Sequence, residues 1–123
     1  MTRTILVIDD DAAIRSALAL LLKSKGYQVT TAGDGPSGYA KYIDSRPDIV
    51  VSDIVMPGHD GIETIRKIRE CGDDVMIIAM SGSIEGGADS RLVKAKEMGA
   101  DRTLSKPFDP VELMAALNSP RMF

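Results

Sequence analysis

Short β-branched runs alternate with amphipathic helical patterns along the whole chain. The runs are Ile5-Leu-Val-Ile8, Ile49-Val-Val51, Val75-Met-Ile-Ile78 and, more weakly, Thr103-Leu104. A strand with no polar alternation is covered on both faces, the condition of a parallel sheet flanked by helices. Each run also ends on a distinctive residue: Asp9-Asp10, Asp53, Ser81 and Lys106 in turn. In an open parallel sheet the carboxyl ends of the strands share one edge, and ligands bind there. The pattern therefore predicts that these acids, the hydroxyl and the amine converge on one site.

Between the runs lie helices with clear punctuation. Ile14, Leu18, Leu21 and Leu22 line one helix face, closed by Gly26. Tyr27 to Thr31 reads as a more polar, edge strand. A helix starts near Pro36, whose φ suits a first turn. The third strand begins at Asp48, and Ile54 to Asp60 reads as a loop broken by Pro57 and Gly58. Ile62, Ile65 and Ile68 mark a helix that stops at Gly72, and the fourth strand runs from Val75 to about Met80. Residues Ser81 to Gly87 read as a long glycine-rich loop, and the next helix ends at Gly99. Asp109-Pro-Val-Glu112 is a capping-box start for the last helix. Alternating strands and helices predict an α/β doubly wound parallel sheet. Its expected form is flavodoxin-like (βα)5 with strand order 2-1-3-4-5, an order taken from known folds of this kind.

The chain has 123 residues, the size of a single domain, expected to span 1–123. A net charge of −3 speaks against direct nucleic-acid binding, which needs a basic face. Cys71 is the only cysteine, so no internal disulfide forms, and a reducing, cytoplasmic setting is expected. Its expected place is a partly buried helix end. No secretory signal is visible, and Ala17 to Leu22 is too short to cross a membrane.

In the expected order, strands 1 and 3 are neighbours about 4.8 Å apart. Two carboxylates ~5 Å apart repel by roughly 3 kcal/mol at an effective dielectric of 20. A divalent cation that prefers oxygen would offset this. Mg²⁺ takes one or two carboxylates and leaves room for a phosphate. Ser81 and Lys106 are suitable donors to phosphoryl oxygens, and a carboxylate can itself accept a phosphoryl group. Each residue has a plainer reading on its own. Asp11 in particular reads as a simple cap of the first helix. His59 reads as a solvated loop residue, with no second His or Cys to complete a metal site.

Taken together, Ile5-Leu-Val-Ile-Asp-Asp10, Asp53-Ile-Val-Met-Pro57 with Asp60-Gly61, Met80-Ser-Gly82, Gly99-Ala100 and Lys106-Pro-Phe108 resemble the receiver domain of two-component response regulators. The resemblance covers essentially the whole chain. It implies phosphorelay signalling, with Asp53 accepting a phosphoryl group from a histidine kinase or phosphotransfer protein. It implies Mg²⁺ held by Asp10 and Asp53, by Asp9 largely through water, and by the backbone carbonyl of Val55. Ser81 would be the switch hydroxyl and Lys106 the phosphate-contacting cation, in a cis Lys106-Pro107 peptide. Beyond self-phosphorylation and slow self-dephosphorylation, no enzyme activity is implied. The expected partners are such a kinase or phosphotransfer protein and an unknown downstream protein. A standalone monomer or a weak phosphorylation-dependent dimer is expected, with no membrane insertion.

The chain departs from the family pattern in three places. Thr103 stands where an aromatic residue often swings inward on activation, so activation is expected to be read mainly from the loop after Ser81. The stretch from Ser81 to Gly99 is longer than usual by roughly three residues, with Ser83 to Gly87 the place of the excess; it reads either as a surface insertion of little cost or as a partner-specific mobile loop on the output face. Val55 and Ser83 stand where the family tunes dephosphorylation, and an apolar Val55 cannot orient water, so the phosphoryl lifetime is expected not to be very short. Two other readings compete. A haloacid-dehalogenase-type phosphatase would use Asp9-Asp-Asp11 but leaves Asp53 unexplained. A docking module with a decayed site conflicts with the intact set of acids, hydroxyl and amine.

Overall fold

The computed structural model describes residues 3–56, 59–72, 74–82, 88–106 and 109–118. Five parallel strands form the sheet: β1 (Thr4–Ile8), β2 (Gln28–Ala32), β3 (Ile49–Asp53), β4 (Met76–Ser81) and β5 (Arg102–Ser105). Their order is β2-β1-β3-β4-β5, as expected for the flavodoxin-like form. The helices are α1 (Ala12–Ser24), α2 (Gly35–Ser45), α3 (Gly61–Glu70), α4 (Ala88–Glu97) and α5 (Pro110–Asn118). Among the described residues no helix is long and apolar enough to cross a membrane.

The period-2 geometry of the strands divides the core in two. Leu6, Ile8, Val50 and Ile77 face one side and pack with Tyr42, Ile65, Ile68 and Ala95 of α2, α3 and α4. Ile5, Val7, Ile49, Val51 and Ile78 face the other and pack with Leu18 and Leu22 of α1 and Leu113 and Leu117 of α5. The three central strands are buried on both faces, as their unbroken apolar runs require. β5 differs: its residues are half-buried or exposed because it closes an edge of the sheet.

Local chemistry sets the helix ends. The Asp11 carboxylate accepts from the Ala13 and Ile14 amides at 2.9 and 3.2 Å, so Asp11 is the expected cap. Asp34 accepts from the Ser37 amide at 2.7 Å and starts α2. Asp109 and Glu112 form the reciprocal capping box, at 2.9 and 3.3 Å. Gly26 and Gly72 take left-handed φ values of 95° and 82° at the ends of α1 and α3. Cys71 is half-buried just past α3, as expected.

The segment after β3 is not simply a loop. Val55 pairs antiparallel with Asp60, and Met56 with His59. Val55 is β-branched and suits such a ladder, a signal outweighed in the sequence by Pro57 and Gly58. The pairing brings the start of α3 against the end of β3. A Cβ on Gly61 would lie 2.5 Å from the Ile54 Cα and 2.6 Å from the Asp53 carbonyl oxygen.

Far from this edge, Arg69 ties α3 to the α4–β5 connection. Its guanidinium donates to the Gly99 carbonyl at 2.8 and 3.1 Å, to the Val75 carbonyl at 2.9 Å and to Asp101 at 2.9 Å. The Asp101 carboxylate in turn accepts the Ile77 amide at 2.9 Å.

The Gly61 contact is backbone against backbone, so a methyl group there has no flexible neighbour to displace. Gly61→Ala is expected to cost about 2 kcal/mol or more in denaturant unfolding, in the range of overpacked sites. A loss below about 0.5 kcal/mol, the scale of an ordinary surface change, would contradict that packing.

Candidate functional site

Strand register assembles the site. Ile8 pairs with Ser52, so Asp9 follows β1 directly beside Asp53, the last residue of β3. Asp53 pairs with Met80, which sets Ser81 one step further along β4. Ser81 pairs with Ser105, and the next amide, Lys106, donates to the Ser81 carbonyl at 2.7 Å. Four strand ends thus deliver their residues to one edge.

Asp9, Asp10 and Asp53 each offer a carboxylate oxygen, and these atoms lie within 4.8 Å of one another. Asp9 and Asp53 are buried, while Asp10 is exposed. The repulsion anticipated from the sequence is met first by the chain itself. The Lys106 ammonium lies 2.7 Å from Asp9 Oδ2 and 3.2 Å from Asp53 Oδ2. The other oxygens are also engaged: Asp9 Oδ1 accepts the Asp11 amide at 2.9 Å, and Asp53 Oδ1 accepts the Val55 amide at 3.0 Å.

Burial pushes the Asp53 carboxyl above its usual range; the Val55 amide and the Lys106 ammonium oppose this, and Asp9 adds to it. Burial alone would lower Lys106, but Asp9 and Asp53 together outweigh it and hold the ammonium above its ordinary value. Lys106 therefore stays charged at neutral pH. Ser81 is fully buried, and its hydroxyl donates to the Gly82 carbonyl at 3.3 Å.

The structure brings together Asp9, Asp10, Asp53 and Lys106 directly, and Ser81 through strand register. Val55 touches Asp53 through its amide. Thr103 lies in β5 opposite Ala79. The expected cis peptide at Lys106-Pro107 and the Ser83 to Gly87 segment lie outside the described residues. One neighbour went unread in the sequence: Arg15 of α1 donates to the Asp9 carbonyl at 2.7 Å. Its signal was present, because side chains in a first turn lean back over the helix start.

The donor set is oxygen only, anionic and clustered, which fits a hard divalent cation such as Mg²⁺. A buried carboxylate beside a fixed ammonium also suits phosphoryl acceptance, where charge neutralisation does most of the chemistry.

Comparison with known proteins agrees with this geometry. Residues 5–118 match the model of the response regulator receiver domain. The phosphate regulon transcriptional regulatory protein PhoB of Pseudomonas aeruginosa is 34% identical over 119 residues, covering 95% of this chain and 51% of that protein. Response regulator MprA of a Mycobacterium species (strain KMS) is 39% identical over 115 residues, covering 94% of this chain and 49% of that protein. The chain thus spans about half the length of the curated relatives it matches. The structure of Vibrio cholerae chemotaxis protein CheY4 superposes with a TM-score of 0.85 at 29% identity, covering 95% of this chain and 97% of that one. A CheY-like receiver domain protein from Methanospirillum hungatei gives 0.87 at 26% identity, covering 95% and 91%. These matches displace the phosphatase reading, which also left Asp53 without a role.

Two stability predictions follow from the ion cluster. The Asp53 carboxyl titrates higher in the folded chain than in the unfolded one, so its ionisation opposes folding. Stability is lost as pH rises from the unfolded carboxyl range through the raised folded value. Asp53→Asn should therefore raise the metal-free melting temperature at neutral pH, with the gain vanishing at acid pH. Each 1 kcal/mol of relief corresponds to roughly 4 °C. Equal midpoints at neutral pH would contradict the crowding. Conversely, Lys106→Met leaves the fully buried Asp9 without its ammonium. The expected loss in metal-free denaturant unfolding is about 3 kcal/mol, the lower end for a broken buried pair. A loss under about 1 kcal/mol, the scale of an exposed pair, would show that Lys106 is not what compensates Asp9.

Proposed function

The chain belongs to the response regulator receiver domain family, and on that premise we propose that Asp53 is its phosphoryl acceptor and that Mg²⁺ is its cofactor. One observation carries the reading: a buried Asp53 carboxylate clusters with Asp9 and Asp10 at the ligand-binding edge of the sheet, and the Lys106 ammonium bridges it to Asp9. The donor is a phosphohistidine of a histidine kinase or phosphotransfer protein, working in the cytoplasm. An Asp53 oxygen forms a bond to phosphorus as the phosphorus–nitrogen bond breaks, and the imidazole leaves with that bonding pair.

Asp10 and Asp53, with the Val55 carbonyl, would hold the cation. Asp9 acts largely through water, a role favoured by the hydrogen bonds already made to both of its oxygens. When bound, Mg²⁺ neutralises charge on the phosphoryl oxygens. Lys106 keeps its contact with Asp9 and moves from Asp53 to a phosphoryl oxygen. Ser81 turns its hydroxyl from the Gly82 carbonyl to another. That turn shifts the segment after Ser81 and biases α4, β5 and α5 towards a state that binds a downstream protein. Thr103 has no ring to rotate in β5, so the segment after Ser81 carries the signal. The apolar Val55 side chain offers no hydrogen bond to an attacking water, and self-dephosphorylation is slow.

Incubation with a small-molecule phosphoryl donor and intact-mass measurement tests this. One added phosphoryl group is expected, requiring Mg²⁺ and lost in Asp53→Asn. No adduct under conditions that trap acyl phosphates would favour a phosphorylation-independent docking module.

A further inference from the structure

We propose that Arg15 is a positioning residue for the cation site, acting through the peptide that joins Asp9 to Asp10. The inference rests on the reading of Asp10 as a cation ligand. Asp10 is exposed, and among the described residues no hydrogen bond or ion pair restrains its side chain. Its carboxylate is aimed by its backbone. Asp9 is held at every polar atom instead. Its amide donates to the Ala32 carbonyl at 3.1 Å, its carboxylate oxygens meet the Asp11 amide and Lys106, and its carbonyl accepts from Arg15 Nη1 at 2.7 Å.

That carbonyl belongs to the Asp9–Asp10 peptide plane. Fixing it fixes the plane from which Asp10 projects, because the peptide unit is rigid. A guanidinium is suited to this work, since it is always charged and its donors are held in a planar fork.

The guanidinium is itself seated. Arg15 is half-buried, and a Cβ on Gly33 would meet its Nη1 at 3.2 Å and Cζ at 3.7 Å. The end of β2 thus lies close behind Arg15, and a methyl group at Gly33 would push the guanidinium aside by a few tenths of an ångström. Gly33 has no left-handed φ, so alanine there is free of backbone strain and acts on Arg15 alone. Arg15 therefore links three elements, α1, the end of β1 and the end of β2, to the orientation of one ligand.

Mg²⁺ titration followed by amide NMR tests the assignment, reading both the dissociation constant and the Asp10 amide shift. Arg15→Met is expected to weaken Mg²⁺ binding roughly tenfold, as for other residues that orient a metal ligand. Arg15→Lys should recover part of that loss. Gly33→Ala keeps the arginine but displaces it, and should weaken binding to an intermediate degree, which covers the case in which Arg15→Met does not fold. Leu18→Ala, in the core under α1, should lower the melting temperature yet leave Mg²⁺ affinity of the folded protein unchanged. Affinity within about twofold of wild type in Gly33→Ala and Arg15→Met would overturn the role of Arg15. So would tighter binding, which would make the guanidinium merely a repelling charge. If wild type itself binds no Mg²⁺, the cation reading falls, and this inference with it.

Discussion

The Lys106 ammonium stands between two buried carboxylates, and the arrangement of the whole functional edge depends on it. Asp9 and Asp53 come from neighbouring strands whose register leaves them side by side. Without a counter-charge, burying both in their ionised forms would be prohibitive. The cation comes from the far edge of the sheet, so β5 has to be docked on β4 before the cluster is neutralised. Core formation and site formation are therefore coupled. Apolar runs in β1, β3 and β4 bring the acids together, and the weakest strand supplies what makes their company tolerable.

This coupling explains why a signalling site can be built here. Asp53 is held as an ionisable group in surroundings that raise its pKa, with one oxygen on a backbone amide and the other on Lys106. Such a carboxylate is poised, since changing its charge or bonding changes the balance of forces at four strand ends. The opposite end of the sheet is tied by polar bonds instead. There Arg69 satisfies two carbonyls and pairs with Asp101, which also caps the Ile77 amide.

Much of the fold was legible because its signals are local. Strands buried on both faces show as unbroken apolar runs, and Asp11, Asp109 with Glu112, and the glycines Gly26 and Gly72 mark helix ends by short-range bonding. The strand order was not local information and came from known folds. The candidate site was legible at the level of residues, because each member follows a run. Its geometry was not. A lysine before a proline does not announce that it will bridge two acids 97 and 53 positions away. Arg15 and Arg69 carry no reading from the sequence, because each serves backbone carbonyls reached only in the folded chain. The Val55–Asp60 pairing was masked by the turn residues between its two halves.

The most direct test of the account is a crystal structure with Mg²⁺ and trifluoroberyllate, which mimics a bound phosphoryl group. The beryllium is expected on an Asp53 oxygen, with Mg²⁺ touching Asp10 and Asp53. Lys106 is expected to move from Asp53 to a fluorine while keeping Asp9, and the Ser81 hydroxyl to turn inward. A cation bound away from the acidic pair, or a fluoride adduct on any residue other than Asp53, would contradict it.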